Sequence, residues 1–119
     1  MIMKESIDAA LNAHAQWKKR LVDAVATGRS EFDPVTVKKD DQCQFGKWLY
    51  GLSAADKASE DFAKARQLHA DFHKVAGEIL SLALAGKKAE AQAKLEFGGD
   101  YSHITGKLVI ALQTWKGKL

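Results

Sequence analysis

Apolar residues recur at steps of three and four along most of the chain, which is the pattern of amphipathic helices that pack together. Three long stretches show this pattern, at about 5–27, 54–85 and 100–116, and a shorter, more polar stretch covers 87–98. In the first stretch the apolar face consists of Ile7, Ala10, Leu11, His14, Trp17, Leu21 and Val25. Four such faces can bury one another around a common axis, so the pattern predicts an antiparallel four-helix bundle.

A polar connection, 29–42, separates the first two stretches and carries the single proline, Pro34. Val35, Thr36 and Val37 form a weakly strand-like island in it that is too short to build a sheet. Residues 43–50 then predict a short helix, which Gly51 ends. We therefore expect an all-α fold in which an additional short helix carries the cysteine.

The composition fits one soluble domain that covers the whole chain, 1–119. Hydrophobic residues make up 46% and charged residues 28%, a balance that allows a core without cross-links. The lone cysteine cannot form an internal disulfide, and the N-terminus enters the helical pattern without the apolar segment of a signal peptide. These features predict a cytoplasmic protein.

The net charge of +3 does not indicate a nucleic-acid partner. Basic residues are scattered among acidic ones, and no continuous basic stripe carries stacking aromatic side chains. No apolar run approaches the roughly 20 residues that a membrane span needs. We expect neither nucleic-acid binding nor a membrane-bound domain.

Three of the four histidines fall on predicted inward faces. His14 lies on the apolar face of the first helix, and His69 and His73 lie one turn apart on the same face of the second. Cys43 lies between these helices in sequence, at a helix start where backbone N–H groups favour the thiolate. Taken singly, each is more often a packed core residue than a ligand. Together they favour a metal site, whereas His103 is more simply a surface or packing residue.

The donor types indicate which metal such a site would hold. One thiolate and three imidazoles in a four-coordinate site point to zinc. A copper(I) site could use the thiolate, but no methionine that could act as a ligand lies nearby. A di-iron site would need inward glutamates and Glu-x-x-His pairs, which the chain lacks. Ala70 follows His69, so the His-Glu-x-x-His pattern of zinc proteases is missing as well. Four protein ligands leave no position for water, and we therefore do not expect an enzyme.

Three blocks of sequence carry a resemblance to a known family. They are His14-Ala15-Gln16-Trp17, Cys43-Gln44-Phe45-Gly46-Lys47-Trp48 and His69-Ala70-Asp71-Phe72-His73. In this order and spacing they resemble the signature of the chemoreceptor zinc-binding domain family. The resemblance implies a small helical bundle that binds Zn²⁺ through His14, Cys43, His69 and His73.

The resemblance also implies a regulatory role. Domains of this family occur alone or attached to cytoplasmic chemoreceptors and diguanylate cyclases, and homodimers are common. It therefore implies sensing of zinc, or of an oxidant such as hypochlorous acid through the ligand cysteine, with chemotaxis or cyclic-di-GMP signalling as the output. The implied partners are a second copy of the chain and a signalling domain or protein such as a chemoreceptor or a diguanylate cyclase.

Two other functions remain open from the residues alone. Zinc could be purely structural in a protein-interaction or dimerisation module, or the chain could be a metal-free dimerisation bundle. Trp17, Phe45, Trp48 and Phe72, beside the candidate ligands, are interpreted as core packing. Gly46 is expected to allow a close helix approach. Asp71 should point away from the histidines, and the sequence names no partner for their second ring nitrogens.

Overall fold

The computed structural model describes residues 4–41, 43–96 and 98–119. Gln42 and Phe97, which fall in the predicted connection and in the predicted segment 87–98, lie outside these ranges, as do residues 1–3. The described residues contain helices and no β-strand, which confirms the all-α prediction. They are α1 (Lys4–Thr27), α2 (Pro34–Val37), α3 (Gln44–Tyr50), α4 (Ala54–Lys57), α5 (Glu60–Leu84), α6 (Lys88–Leu95) and α7 (Asp100–Gly117).

Helix α5 is the centre of the packing, and it contacts each of the other six described helices. Its apolar face includes Phe72, Ile79 and Leu80, which are almost completely buried. Leu21 of α1 and Leu112 of α7 are buried against the same core. Burial of each such side chain stabilises the fold by about 1.5–3 kcal/mol, so the amphipathic pattern is enough to bring these helices together.

The prediction of one continuous helix over 54–85 is wrong, because the helix is interrupted after Lys57. The Ser53 hydroxyl accepts a hydrogen bond from Asp56 N at 3.2 Å and caps α4. The Ser59 hydroxyl accepts one from Phe62 N at 3.1 Å and caps α5. A serine that bonds its neighbouring backbone offers an alternative to the helical hydrogen-bond ladder, so the second serine starts a new helix.

The strand-like interpretation of Val35–Val37 is also wrong. Pro34–Val37 forms a single helical turn, because Asp33 caps it through Thr36 N at 3.3 Å and Pro34 suits the first helical position. Val37 is buried in the core, so this part of the connection is docked onto α5. The connection is therefore an ordered part of the packing.

The last two helices agree with their predicted positions, although α6 ends at Leu95, earlier than expected. Gly28 adopts positive φ directly after α1, and Gly86 does so one residue beyond Ala85, the C-cap of α5, which explains why these helices stop there. The antiparallel order of a four-helix bundle stays a prediction. Among the described helices, none combines the length with the apolar character that crossing a bilayer requires.

Candidate metal centre

Three histidines from two helices converge in the core. His14 comes from α1, and His69 and His73 come from adjacent turns of α5. One ring nitrogen of each lies within 4.8 Å of the others, and all three side chains are buried. The structure thus brings together the three histidines that the sequence placed on inward helix faces. His103 is exposed on α7, in agreement with its interpretation as a surface residue.

Cys43 reaches this cluster from a third element. Its Sγ lies 3.3 Å from Nε2 of His69, and Nε2 of His73 lies 3.0 Å from the same nitrogen. In a tetrahedral zinc site with ordinary bond lengths, two nitrogens are about 3.3 Å apart and a nitrogen and a sulfur about 3.6 Å apart. Both observed separations are within a few tenths of an ångström of these values.

Two of the histidines form hydrogen bonds to backbone carbonyl groups through their Nδ1 atoms. His14 Nδ1–H donates to the carbonyl oxygen of Ala10 at 2.6 Å, and His73 Nδ1–H donates to that of Val37 at 2.8 Å. A carbonyl can only accept, so these contacts assign the proton to Nδ1 and leave Nε2 with a free lone pair. Backbone carbonyls are usual partners of metal-binding histidines.

His69 differs from the other two. Its Nδ1 is buried and forms no hydrogen bond within the described residues. Its Nε2 faces both the sulfur of Cys43 and Nε2 of His73. The orphaned nitrogen shows that the polar atoms of His69 are not satisfied by the protein alone.

Burial keeps the imidazoles neutral. It lowers the pKa of His14 to about 4, against a smaller opposite effect of the Ala10 carbonyl. It lowers the pKa of His69 to about 2, with repulsion by His73 and His14 adding to the effect. The pKa of His73 is also lowered, mainly by burial. A neutral imidazole with an unprotonated ring nitrogen is the form that binds a metal ion.

Cys43 is the N-cap residue of α3 rather than part of its first turn. Its sulfur accepts a hydrogen bond from Gly46 N at 3.3 Å. Burial nevertheless raises the pKa of the thiol above its usual value, because it outweighs the backbone N–H groups that stabilise the thiolate. The backbone N–H groups at this helix start do favour the thiolate, as expected, but burial has the larger effect on the pKa of the thiol. A bound metal cation would remove the thiol proton.

Aromatic rings enclose the cluster on several sides, which confirms their interpretation as packing. The Phe72 ring is edge-on to His14 at 4.7 Å between centroids, and the Phe45 ring is edge-on to His69 at 5.0 Å. Trp48 stacks on Phe45 at 5.5 Å. Asp71 accepts a hydrogen bond from Gln67 at 3.1 Å on the same helix, so its carboxylate is engaged away from the histidines.

An open cleft of about 410 Å³ leads to the cluster between α1 and the start of α3. Ala9 and Ala13 line one wall, Trp48 lines the other, and His14 and Cys43 also border it. Cys43 is only partly buried. Small solutes can therefore approach Cys43 from this side, whereas His69 and His73 are almost completely buried on α5.

The donor set fits a zinc ion: neutral imidazoles, converging lone pairs, carbonyl partners on two histidines and a thiol within reach. The model of the family described as "Chemoreceptor zinc-binding domain" matches residues 14–80, a span that begins at His14 and includes Cys43, His69 and His73. The chain belongs to the chemoreceptor zinc-binding domain family. Zinc is thus its cofactor, as the donor types predicted. The comparisons with curated proteins and with solved structures gave no match.

Proposed function

We propose that this domain is a regulatory sensor that binds zinc through His14, Cys43, His69 and His73. One observation carries the proposal: three buried imidazoles converge, and the chain's single thiol lies 3.3 Å from one of them at the edge of an open cleft. Three of the ligands would come from two long helices, whereas the fourth would come from the cap of a seven-residue helix. The thiol is therefore the ligand whose loss disturbs the fold least.

The signal would be zinc itself or an oxidant that removes the sulfur ligand. A bound zinc ion supplies the positive charge that keeps the Cys43 sulfur a thiolate at neutral pH. With a peroxide, this sulfur attacks one oxygen, an S–O bond forms, the O–O bond breaks and hydroxide leaves, which yields a sulfenic acid. Hypochlorous acid gives the same product through an S–Cl bond that water hydrolyses. The sulfenic acid is a poorer ligand, so oxidation lowers zinc affinity and frees the start of α3.

Membership of the family supports a proposal about the wider role. We propose that the whole chain, 1–119, is one cytoplasmic domain of an antiparallel helical bundle, without catalytic activity of its own. It would form homodimers and act on a chemoreceptor or a diguanylate cyclase, and so control chemotaxis or cyclic-di-GMP signalling. With four protein ligands bound, the zinc ion would have no open coordination position for catalysis.

Elemental analysis of the purified domain before and after oxidant, paired with circular dichroism, tests the proposal. A sensor should contain one zinc ion per chain and release it on oxidation with a measurable loss of helix. If zinc is present but resists oxidant, and the chain unfolds only when stripped by a chelator, zinc is structural and the domain is an interaction module. A chain that purifies and folds without zinc would be a metal-free bundle.

A further inference from the structure

The segment 33–41, which we call the strap, is held at the metal centre by His73. The carbonyl oxygen of Val37 accepts the Nδ1–H of His73 at 2.8 Å, although the two residues are 36 positions apart. The Val37 side chain is 6% exposed and belongs to the core. This hydrogen bond fixes which nitrogen of His73 carries the proton and therefore which one faces the cluster.

The strap also lies against Gly77, one turn along α5 from His73. A Cβ at Gly77 would overlap Cγ of Lys38 and would lie 3.1 Å from the carbonyl oxygen of Pro34. Glycine destabilises the interior of a helix relative to alanine. Its use here, on the face where the strap docks, indicates that the close approach of the strap matters more than the stability of α5 at this point.

The C-terminal part of the strap contacts the helix that Cys43 caps. A Cβ at Gly46 would overlap the carbonyl oxygen of Asp40. The Tyr50 hydroxyl donates a hydrogen bond to the Asp40 carboxylate at 2.6 Å. Gly46 therefore permits close contact with the strap backbone rather than with another helix. The same short segment thus touches the elements that supply His73 and Cys43.

We propose that the strap is a positioning element for zinc, and that Gly77 is the residue of α5 that admits it. This inference rests on the proposed zinc site. A docked strap orients His73 through Val37 and braces α3 through Asp40, so docking of the strap and binding of zinc stabilise each other. The coupling is reciprocal: zinc holds the strap in place, and anything that lifts the strap weakens zinc binding.

Gly77→Ala tests the proposal in the full chain, with Gly106→Ala as its matched control. Gly106 is also a helical glycine, on α7, but apart from its own helix backbone no atom of the described residues lies within 4 Å of where its Cβ would be. Zinc dissociation constants are measured by competition with a chromogenic chelator. Gly77→Ala is expected to weaken zinc binding by about 10-fold or more, the usual effect of disturbing a ligand's hydrogen-bond partner. Gly106→Ala should bind zinc as the native chain does.

Trypsin provides a second readout that reports on the strap itself. Lys38 and Lys39 are exposed, so undocking of the strap opens the bonds after them to cleavage, which mass spectrometry can locate. Zinc should slow cleavage there in the native chain and in Gly106→Ala, but much less in Gly77→Ala. Adding Lys38→Ala to Gly77→Ala removes the overlapping Cγ and should recover part of the zinc affinity.

The outcomes separate this inference from the proposed function. If the native chain binds no zinc, the proposed function fails and the strap inference fails with it. If the native chain binds zinc but Gly77→Ala has the affinity of Gly106→Ala, the site stands and the strap inference is overturned. Equal trypsin cleavage at Lys38 and Lys39 with and without zinc would also overturn it.

Discussion

The Nε2 atoms of His69 and His73 face each other at 3.0 Å, a separation that would require a proton between them if no metal ion were bound. His73 cannot supply it, because its proton is on Nδ1 and is donated to the Val37 carbonyl. Without a metal ion, His69 would therefore be protonated on Nε2, and its buried Nδ1 forms no hydrogen bond within the part of the chain that the structure describes. Without zinc, the two rings would be joined by a hydrogen bond, which a bound zinc ion would replace.

Zinc binding should therefore switch the tautomer of His69. When Nε2 binds the metal, the single proton of the neutral ring moves to Nδ1, whereas His14 and His73 keep their Nδ1 protons. Nitrogen-15 NMR of the imidazoles, recorded without and with one equivalent of zinc, distinguishes the tautomers. The exposed His103 is an internal control that should not change. An unchanged His69 spectrum on zinc addition would contradict its role as an Nε2 ligand.

Zinc should also stabilise the fold, and the ligand variants should lose this effect. Free zinc at 100 times its dissociation constant adds about 2.7 kcal/mol to the free energy of unfolding. For a domain of this size that raises Tm by about 10 °C. Thermal denaturation of the native chain with zinc and with chelator measures the difference. Cys43→Ala, His14→Ala and His69→Ala should show at most a small shift.

The control for these variants is His103→Ala, since His103 is the one histidine on an exposed helix position outside the cluster. It should keep the full zinc-dependent rise in Tm. A similar loss in His103→Ala would mean that zinc acts on the surface or through unfolded chains rather than at the buried centre.

The sequence predicted those parts of the molecule that depend on periodic burial. Helices α1 and α7 and the convergence of His14, His69 and His73 follow from residues that repeat on one helical face. The Ala10 partner of His14 is also local, because it lies one turn earlier on α1. Four ligands as a set stay a prediction, although the structure brings the sulfur of Cys43 to 3.3 Å from His69.

What the sequence did not predict depends on backbone contacts between distant segments. The Val37 carbonyl is 36 residues from His73 in the chain, and no side chain marks it as a partner. The raised pKa of the Cys43 thiol results from burial after folding, which outweighs the local helix start. The break before α5 was missed because Ser53 and Ser59 are both good caps and only tertiary packing decides that both are used.

Gly46 should be intolerant of any side chain. A Cβ there would overlap the carbonyl oxygen of Asp40, which is backbone and cannot rotate away. We expect Gly46→Ala to lower the free energy of unfolding by about 1–3 kcal/mol, the usual range for overpacking. Urea denaturation measures it against Gly106→Ala, which has open space and should be neutral or more stable by up to about 1 kcal/mol. Equal stability of the two variants would contradict the close approach of Asp40.

The two serine caps should differ in their importance. Ser59→Ala removes the cap of the central helix α5 and should cost about 1 kcal/mol of stability. Ser53→Ala is the matched control, since it removes an equivalent cap from α4, a helix of four residues none of which is buried. Its effect on global unfolding should be smaller, because α4 can fray without exposing core. If Ser53→Ala costs as much as Ser59→Ala, α4 contributes to the core more than its burial indicates.

Oxidation should release zinc through Cys43 and through no other residue. Cys43 borders the open cleft and is only partly buried, while His69 and His73 are enclosed. Treatment of the zinc-loaded chain with hydrogen peroxide is expected to release zinc at the same rate as sulfenic acid forms at Cys43. A zinc-binding dye measures the release, and a sulfenic-acid trap followed by mass spectrometry measures the oxidation. A thiol reductant should restore binding, because this first oxidation step is reversible. If zinc leaves while Cys43 stays unmodified, the sulfur is not the oxidant-sensitive ligand.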